Sequence, residues 1–316
     1  MWRSYYSILK TVTRMNVVAI VNPLSGAGAD PDAASARVRL LEERCLAAGV
    51  AAEVHVTERA RHASELAAAA LASGAALVLA WGGDGTINEV GSVVAGTAAS
   101  MGIIPAGSGN GFAAELGVPR DPAAAIDAAL MGRERPIDVG EMDGRYFFNI
   151  AGIGVDAVIA EQFNARALGR RGMRPYVQIG VREAFRYRAH RYRIALDGDA
   201  FETQALLIAF ANGREYGNRV RLAPHARLDD GRLEAVIVED RPPLARLWSA
   251  RHLMFGTPER ADRVILRSVR TAEIRCEGPI RYHLDGETGS AEGHVSVRVL
   301  PGYLRVRVPA EKSHER

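Results

Sequence analysis

The sequence predicts an N-terminal α/β domain, with a parallel sheet and helices on both faces, followed by an antiparallel β-sandwich domain. Three observations carry this expectation. Short apolar runs alternate with helical patterns as far as about residue 136, the pattern of a mostly parallel sheet. From Ile137 onward strands predominate, with turn signals such as Asp143-Gly144, Asp197-Gly198 and Asp230-Gly231 between them. Within the first half stands Ala80-Trp81-Gly82-Gly83-Asp84-Gly85-Thr86-Ile87-Asn88-Glu89, where three glycines sit at a change from strand to helix.

Taken in order, residues 1–14 fit nothing that follows and read as a tail, or as a membrane-surface anchor. They lack the apolar core and cleavage site of a signal peptide. The first domain is expected over 15–136. Val17–Val21 is a buried strand ending in the loop Asn22-Pro23-Leu24-Ser25-Gly26-Ala27-Gly28. Asp30-Pro31 reads as an N-cap with proline in the first turn, and Gly49 ends that helix. Val54–Thr57 is a strand, Ala63–Ser73 an alanine-rich helix, and Ala75–Leu79 the central strand. Gly102–Ile104 is another, followed by Pro105-Ala106-Gly107-Ser108-Gly109-Asn110-Gly111 and a short helix from Phe112. Asp121-Pro122 caps one more helix, through about Met131.

The second domain is expected over 137–302. Its strands read as 137–141, 146–151, 192–196, 205–211, 233–238, 264–266, 273–276, 281–284 and 295–299, with helical inserts near 155–167 and 175–187. A last strand, within 303–309, is expected to return to the first domain.

Composition narrows the chemistry. The chain has 316 residues, 24% of them charged, and a net charge of +3, which gives no general case for nucleic-acid binding. Lysine occurs only at Lys10 and Lys312, so mechanisms that need a lysine in the site, such as the Walker loop, are excluded. Cys45 and Cys276 lie far apart and in no metal spacing, which suits buried thiols in a reducing, cytoplasmic setting.

Four strand ends, at Asn22 to Gly28, Thr57, Gly82 to Asn88 and Gly107 to Gly111, should line one sheet edge, where ligands of such sheets bind. Loops rich in backbone N–H groups and hydroxyls, with a helix start behind Gly85, fit a nucleotide polyphosphate. The alternative for Gly82 to Asn88 is a plain glycine turn with Asp84 or Thr86 as N-cap. Two acidic motifs also stand out. Leu228-Asp229-Asp230-Gly231-Arg232 is either a β-turn or a hard-cation site, and Asp285-Gly286-Glu287 is either a hairpin turn or a source of a general base. The segment Arg166 to Arg193 carries nine arginines among aromatics, and reads as a solvated face or as a contact for an anionic membrane surface.

Taken together, these motifs resemble the diacylglycerol kinase catalytic-domain family, which includes soluble bacterial lipid kinases and the sphingosine and ceramide kinases. The resemblance rests on Asn22 to Gly26, Gly82 to Glu89, Pro105 to Ala113, Phe148-Asn149-Ile150-Ala151-Gly152-Ile153-Gly154-Val155-Asp156, Ala211-Asn212-Gly213, Leu228 to Gly231 and Asp285 to Glu287. It implies a two-domain lipid kinase that moves the γ-phosphate of ATP to a hydroxyl of a lipid alcohol, with Mg²⁺. It implies nucleotide contacts at Asn22, Pro23, Ser25, Gly26, Thr57, Gly82, Gly83, Asp84, Gly85, Thr86, Ile87, Asn88 and Ser108. Asp285 and Glu287 match the carboxylates of the base motif, and Asp84 is expected to hold catalytic Mg²⁺ or to orient the acceptor. A structural Mg²⁺ loop is implied at Arg227 to Arg232, with a carboxylate from Asp230 and only backbone carbonyls from Arg227 and Arg232. Two departures are Ser108 where many bacterial members carry Thr, and Gly111 where they carry Asp, which removes a carboxylate. The expected partners are ATP, a lipid alcohol and an anionic membrane surface, at the periphery of which the protein would sit. The oligomeric state is open, with a homodimer as one option. A kinase of a soluble alcohol and a non-catalytic nucleotide- or lipid-binding regulator are the alternatives.

Overall fold

The computed structural model describes residues 15–26, 31–107, 109–165, 173–215, 221–254 and 256–310. Four strands, β1 (Val17–Val21), β2 (Ala52–Val56), β3 (Leu77–Gly82) and β4 (Ser100–Pro105), pair in parallel in the order β4-β3-β1-β2. The strands β1, β3 and β4 are buried along their whole length, which is why they read as continuous apolar runs. Crossovers between parallel strands are right-handed, so the reversal of direction after β2 puts α1 (Pro31–Ala47) on one face. It puts α2 (His62–Ala72) and α3 (Asp84–Val94) on the other. The contacts agree: α1 packs on α5 (Pro122–Met131), and α2 packs on α3. The Asp121 carboxylate caps α5 by accepting from Ala124 N at 2.9 Å. A short helix, α4 (Gly111–Glu115), follows β4. The Asp30 cap falls outside the described residues.

The remaining strands are antiparallel among themselves. They are β5 (Arg133–Met142), β6 (Arg145–Phe147), β7 (Ile150–Gly154), β8 (His190–Leu196), β9 (Asp199–Ala211), β10 (Leu233–Glu239), β11 (Val264–Val269), β12 (Thr271–Leu284) and β13 (Glu287–Val308). Both β9 and β12 pair with β8 along their first portion for β12 and for β9, and with β7 further on. These two long strands therefore close the sandwich around Phe147, Ile153, Ile194, Ile208, Phe210, Ile237, Ile274 and Val295. The turns Asp143-Gly144, Asp197-Gly198 and Asp285-Gly286 each have positive φ at both residues, the geometry of a two-residue hairpin loop that Asp-Gly favours.

The strand reading needs three corrections. The stretches 273–276 and 281–284 belong to one strand, β12, whose register shifts between Arg275 and Pro279. The stretches 295–299 and 304–308 are likewise one strand, β13, with an irregularity between Leu300 and Leu304. Pro301-Gly302 reads as a break in sequence, but Gly302, at φ 59°, donates its N–H to the buried Asp138 Oδ1 at 2.8 Å and keeps the strand continuous. Conversely, 146–151 divides into β6 and β7. Beyond the bulge β13 lies between β5 and β4, pairing in parallel through Arg305↔Ser100 and Val306↔Met101, so one strand serves both sheets.

Two helices, α6 (Val155–Ala165) and α7 (Met173–Arg186), stand at the expected inserts, and they pack on each other. A third, α8 (Pro243–Met254), was hidden in sequence by Pro242-Pro243 and by Arg246 and Arg251 among its apolar residues. Cys45 is buried, whereas Cys276 is partly exposed and not the buried thiol its spacing suggests. Among the described residues no helix is long and apolar enough to cross a membrane.

Candidate active site

The registers Val21↔Val56, Val21↔Trp81 and Gly82↔Pro105 bring the ends of β1 to β4 level. The loops after them therefore meet on one edge. Asn22 joins two of them: its Nδ2 donates to Thr86 Oγ1 at 2.8 Å, and its backbone N–H donates to Trp81 O at 2.8 Å. Ser25 is buried and its hydroxyl donates to Asn22 O at 2.8 Å. Arg37, on α1, ties this loop down, donating to Asn22 O at 2.6 Å and Ser25 Oγ at 3.0 Å while its guanidinium lies over the Trp81 ring. Thr57 is buried beside β1, its N–H donating to Val21 O at 2.9 Å. Pro23 borders the same loop, and Gly26, at φ 99°, brings its Cα within a Cβ length of contact with Ala106 O.

At the centre the two glycine loops touch through backbone. A Cβ on Gly107 would stand 2.9 Å from Gly83 Cα, so neither side chain nor water separates them. Gly83 caps α3 with extended backbone and no side-chain hydrogen bond. The first-turn N–H groups of α3 therefore point outward with the positive end of the helix dipole, a place for phosphate oxygens. Asn110, at φ 50°, closes the second loop on itself by accepting from Gly107 N at 3.0 Å. Ser108 lies outside the described residues. Ile87 is buried and fixes α3 on the sheet, and Asn88 faces the other domain.

The acidic hairpin reaches this edge from the sandwich. Asp285 is the first residue of the β12–β13 turn. Its Oδ1 accepts from Asn149 N at 3.0 Å and Ile150 N at 2.9 Å. Its Oδ2 accepts from Phe148 N at 2.8 Å and Asn88 Nδ2 at 3.0 Å. Both oxygens are thus taken. Burial pushes the Asp285 carboxyl above the usual range, against the pull of these donors. Glu287 differs: it is exposed, and its Oε1 lies 3.0 Å from where a Cβ on Gly85 would stand. Asp84 stands between the glycine loops, its Oδ2 accepting from Asn110 N at 3.0 Å. Burial raises the Asp84 carboxyl, the Asn110 N–H opposes this, and the charge of Asp285 raises it further. Among the described residues no cationic side chain pairs with any of these three carboxylates.

The Arg227 to Arg232 turn lies elsewhere, beside β5. Asp230 Oδ1 accepts from Arg232 N at 3.0 Å. The Arg232 guanidinium turns to Ser268, and that of Arg227 to Asp229 at 3.6 Å. The turn is held from behind by Asp138, which accepts from Gly231 N at 2.6 Å and donates its own N–H to Leu228 O at 2.7 Å. What the turn can present to a cation is one carboxylate and main-chain carbonyls, an all-oxygen set that suits Mg²⁺ in kind. Among the described residues no group of three or more His, Cys, Asp and Glu side chains could hold a metal.

Arg37, Asp138 and His283 escape the sequence reading, and Asn110 and Asp156 enter it only as members of motifs, with no role assigned. Spacing could not show these roles: Arg37 and Asp138 act on backbone groups distant in sequence, Asn110 folds back on Gly107, and Asp156 and His283 meet side chain to side chain. The arginine-rich segment is described only in part, since 166–172 lies outside. On α7, Val181 and Phe185 are 45% and 52% exposed, one turn apart, near Arg182 and Arg186.

Known proteins share this arrangement. Residues 16–142 match the family model of the diacylglycerol kinase catalytic domain, and residues 149–308 that of the YegS C-terminal NAD kinase beta sandwich-like domain. The chain is 33% identical over 302 residues to a diacylglycerol kinase of Mycobacterium tuberculosis, covering 93% of this chain and 95% of that one. This chain belongs to the diacylglycerol kinase family. Another family member, a probable lipid kinase YegS-like protein of Chromohalobacter salexigens, is 33% identical over 276 residues, covering 86% of this chain and 88% of that one. A crystal structure of a putative diacylglycerol kinase from Bacillus anthracis superposes with a TM-score of 0.78 at 23% identity, over 96% of this chain and 98% of that one. That likeness carries the fold.

Proposed function

We propose that this chain transfers the γ-phosphate of ATP, with Mg²⁺, to a hydroxyl of a lipid alcohol at an anionic membrane surface. One observation carries the reading: a free carboxylate, Glu287, from the sandwich domain stands over Gly85, at the start of the helix whose N–H groups suit the triphosphate. In this reading the loop N–H groups and the α3 end hold the phosphates in line with the acceptor. Glu287 takes the proton of the hydroxyl as its oxygen bonds to the γ-phosphorus and the bridge to ADP breaks. Asp285, with four donors on its oxygens, anchors the hairpin rather than exchanging a proton. Asp84 would hold catalytic Mg²⁺, which there would neutralise phosphate charge, and Asp230 with the carbonyls of Arg227 and Arg232 would hold a structural one, away from the phosphates.

The membrane contact rests on α7. Two exposed apolar side chains beside Arg186 suit the interface of an anionic bilayer, where apolar groups enter the headgroup region and a guanidinium meets lipid phosphate, while Arg182 is engaged by Glu183 and Gln162. A protein so placed works from the cytoplasmic face. The test is to incubate the protein with radiolabelled ATP, Mg²⁺ and a total lipid extract. Label in a lipid is the expected result. Label only in a water-soluble product would shift the reading to a kinase of a soluble alcohol, and no transfer with ATP bound would favour a regulator.

A further inference from the structure

The turn that carries Glu287 is gripped from α6 by two routes. His283, the third-last residue before Gly286, is 1% exposed. Its Nδ1 accepts from Gly286 N at 3.3 Å, and its Nε2 meets Asp156 Oδ2, on the first turn of α6, at 2.7 Å. A backbone N–H is only a donor, so Nδ1 must be the unprotonated nitrogen and Nε2 carries the hydrogen toward Asp156. Two turns further along α6, Asn164 Nδ2 donates to Gly286 O at 2.8 Å. Both backbone polar groups of Gly286 are therefore held by α6, one through His283. Gly152 lets the pair close: a Cβ there would stand 2.2 Å from Asp156 Oδ2 and 2.4 Å from His283 Nε2.

We infer that Asp156 and His283 are positioning residues for the phosphoryl-transfer step: Asp156 fixes the imidazole tautomer whose Nδ1 orients Gly286 and so aims the adjoining Glu287 at the acceptor. The inference rests on the reading of Glu287 as proton acceptor. A carboxylate on a two-residue turn swings when one peptide of the turn rotates, and a displacement of about 1 Å at a reacting group lowers turnover by about a hundredfold. The buried pair keeps that peptide from rotating.

Two variants separate positioning from plain stability. His283→Asn can set its Oδ1 where Nδ1 stands and keep the Gly286 bond, but it withdraws from Asp156. His283→Gln can reach Asp156 with its amide, but it gives up the Gly286 bond. The Asn variant should be the less stable, since the buried Asp156 carboxylate loses its imidazole donor, and yet the more active. We expect kcat within about threefold of the parent for Asn and at least about tenfold lower for Gln, with the KM for ATP unchanged in both. If activity follows melting temperature instead, or if both variants keep the parent kcat, the inference falls. Should neither fold, Asn164→Ala decides, because Asn164 is exposed: a lower kcat at unchanged melting temperature supports the inference, and an unchanged kcat overturns it. Glu287→Gln distinguishes the two levels. Full kcat in that variant removes the reading of Glu287 itself, whereas a loss there with none in His283→Gln removes only the positioning role.

Discussion

Asp285 and Glu287 sit two residues apart and should fail in different ways when neutralised. Asp285→Asn keeps the shape and tolerates the positive φ of 50°, since Asn visits that region readily. Its amide nitrogen, however, must face one pair of the four donors. If it replaces Oδ2, the Phe148 N–H and Asn88 Nδ2 lose their acceptor. Hydrogen bonds to a charged group contribute about 1.5–3 kcal/mol each, and relief of the buried charge offsets part, so a loss of about 3 kcal/mol is expected. Glu287→Gln changes an exposed side chain and should leave stability within about 0.5 kcal/mol, while kcat falls about a hundredfold for want of a proton acceptor. Denaturant unfolding and kcat at saturating lipid, measured on both variants, check this. An Asp285→Asn protein as stable as the parent would refute the anchoring argument, and a Glu287→Gln protein with full kcat would refute the assignment of the base.

The Asp84 carboxyl is raised by burial, and it must be ionised to hold a cation; as pH falls, the proton therefore arrives early. The acid limb of kcat/KM for ATP should lie above the ordinary carboxylate value of about 4, and a limb at or below it would contradict this. Gly107→Ala places a Cβ 2.9 Å from Gly83 Cα, backbone that cannot step aside, so it should weaken ATP binding and cost about 1–3 kcal/mol of stability. Gly85→Ala meets only the end of the Glu287 side chain, Oε1 at 3.0 Å, so melting should hold while kcat falls; equal effects of the two on melting would count against the geometry. Phe185→Asp should reduce sedimentation with anionic vesicles and leave activity on detergent-dispersed lipid intact; unchanged sedimentation would remove α7 from the contact.

Much of the first domain was legible because buried parallel strands are short apolar runs and each ends in a glycine or polar signal. The Asp-Gly hairpins were legible for the same local reason. What the sequence hid was non-local. Pro301-Gly302 looks like a chain break, and only the Asp138 carboxylate, 164 residues away, makes it a bulge within β13. The acidic pair at 285 and 287 was visible, but not its division of labour. That depends on Phe148, Asn149 and Ile150 turning their N–H groups toward Asp285, and backbone donors leave no mark in side-chain spacing. The His283–Asp156 pair was hidden likewise, split between a strand and a helix 127 residues apart.

The near absence of lysine has a consequence for the order of binding. Asp84, Asp285 and Glu287 stand together at the phosphate edge, and no described cationic side chain pairs with them. Apart from Arg37, whose guanidinium is engaged by Asn22 and Ser25 on the first loop, the α3 dipole and loop N–H groups supply partial positive charge only. A triphosphate approaching alone therefore meets repulsion. One unit charge on another at about 8 Å, with an effective dielectric of about 20, amounts to about 2 kcal/mol, or about thirtyfold in affinity. ATP should accordingly bind at least that much more weakly in the presence of a chelator than with Mg²⁺. Asp84→Asn should narrow the gap from the chelator side, because it removes a repelling charge. Equilibrium dialysis with labelled ATP, in chelator and in Mg²⁺, measures both without turnover. If chelated ATP binds as tightly as Mg²⁺·ATP, some cationic group neutralises the site in solution, and the argument from its carboxylates is wrong.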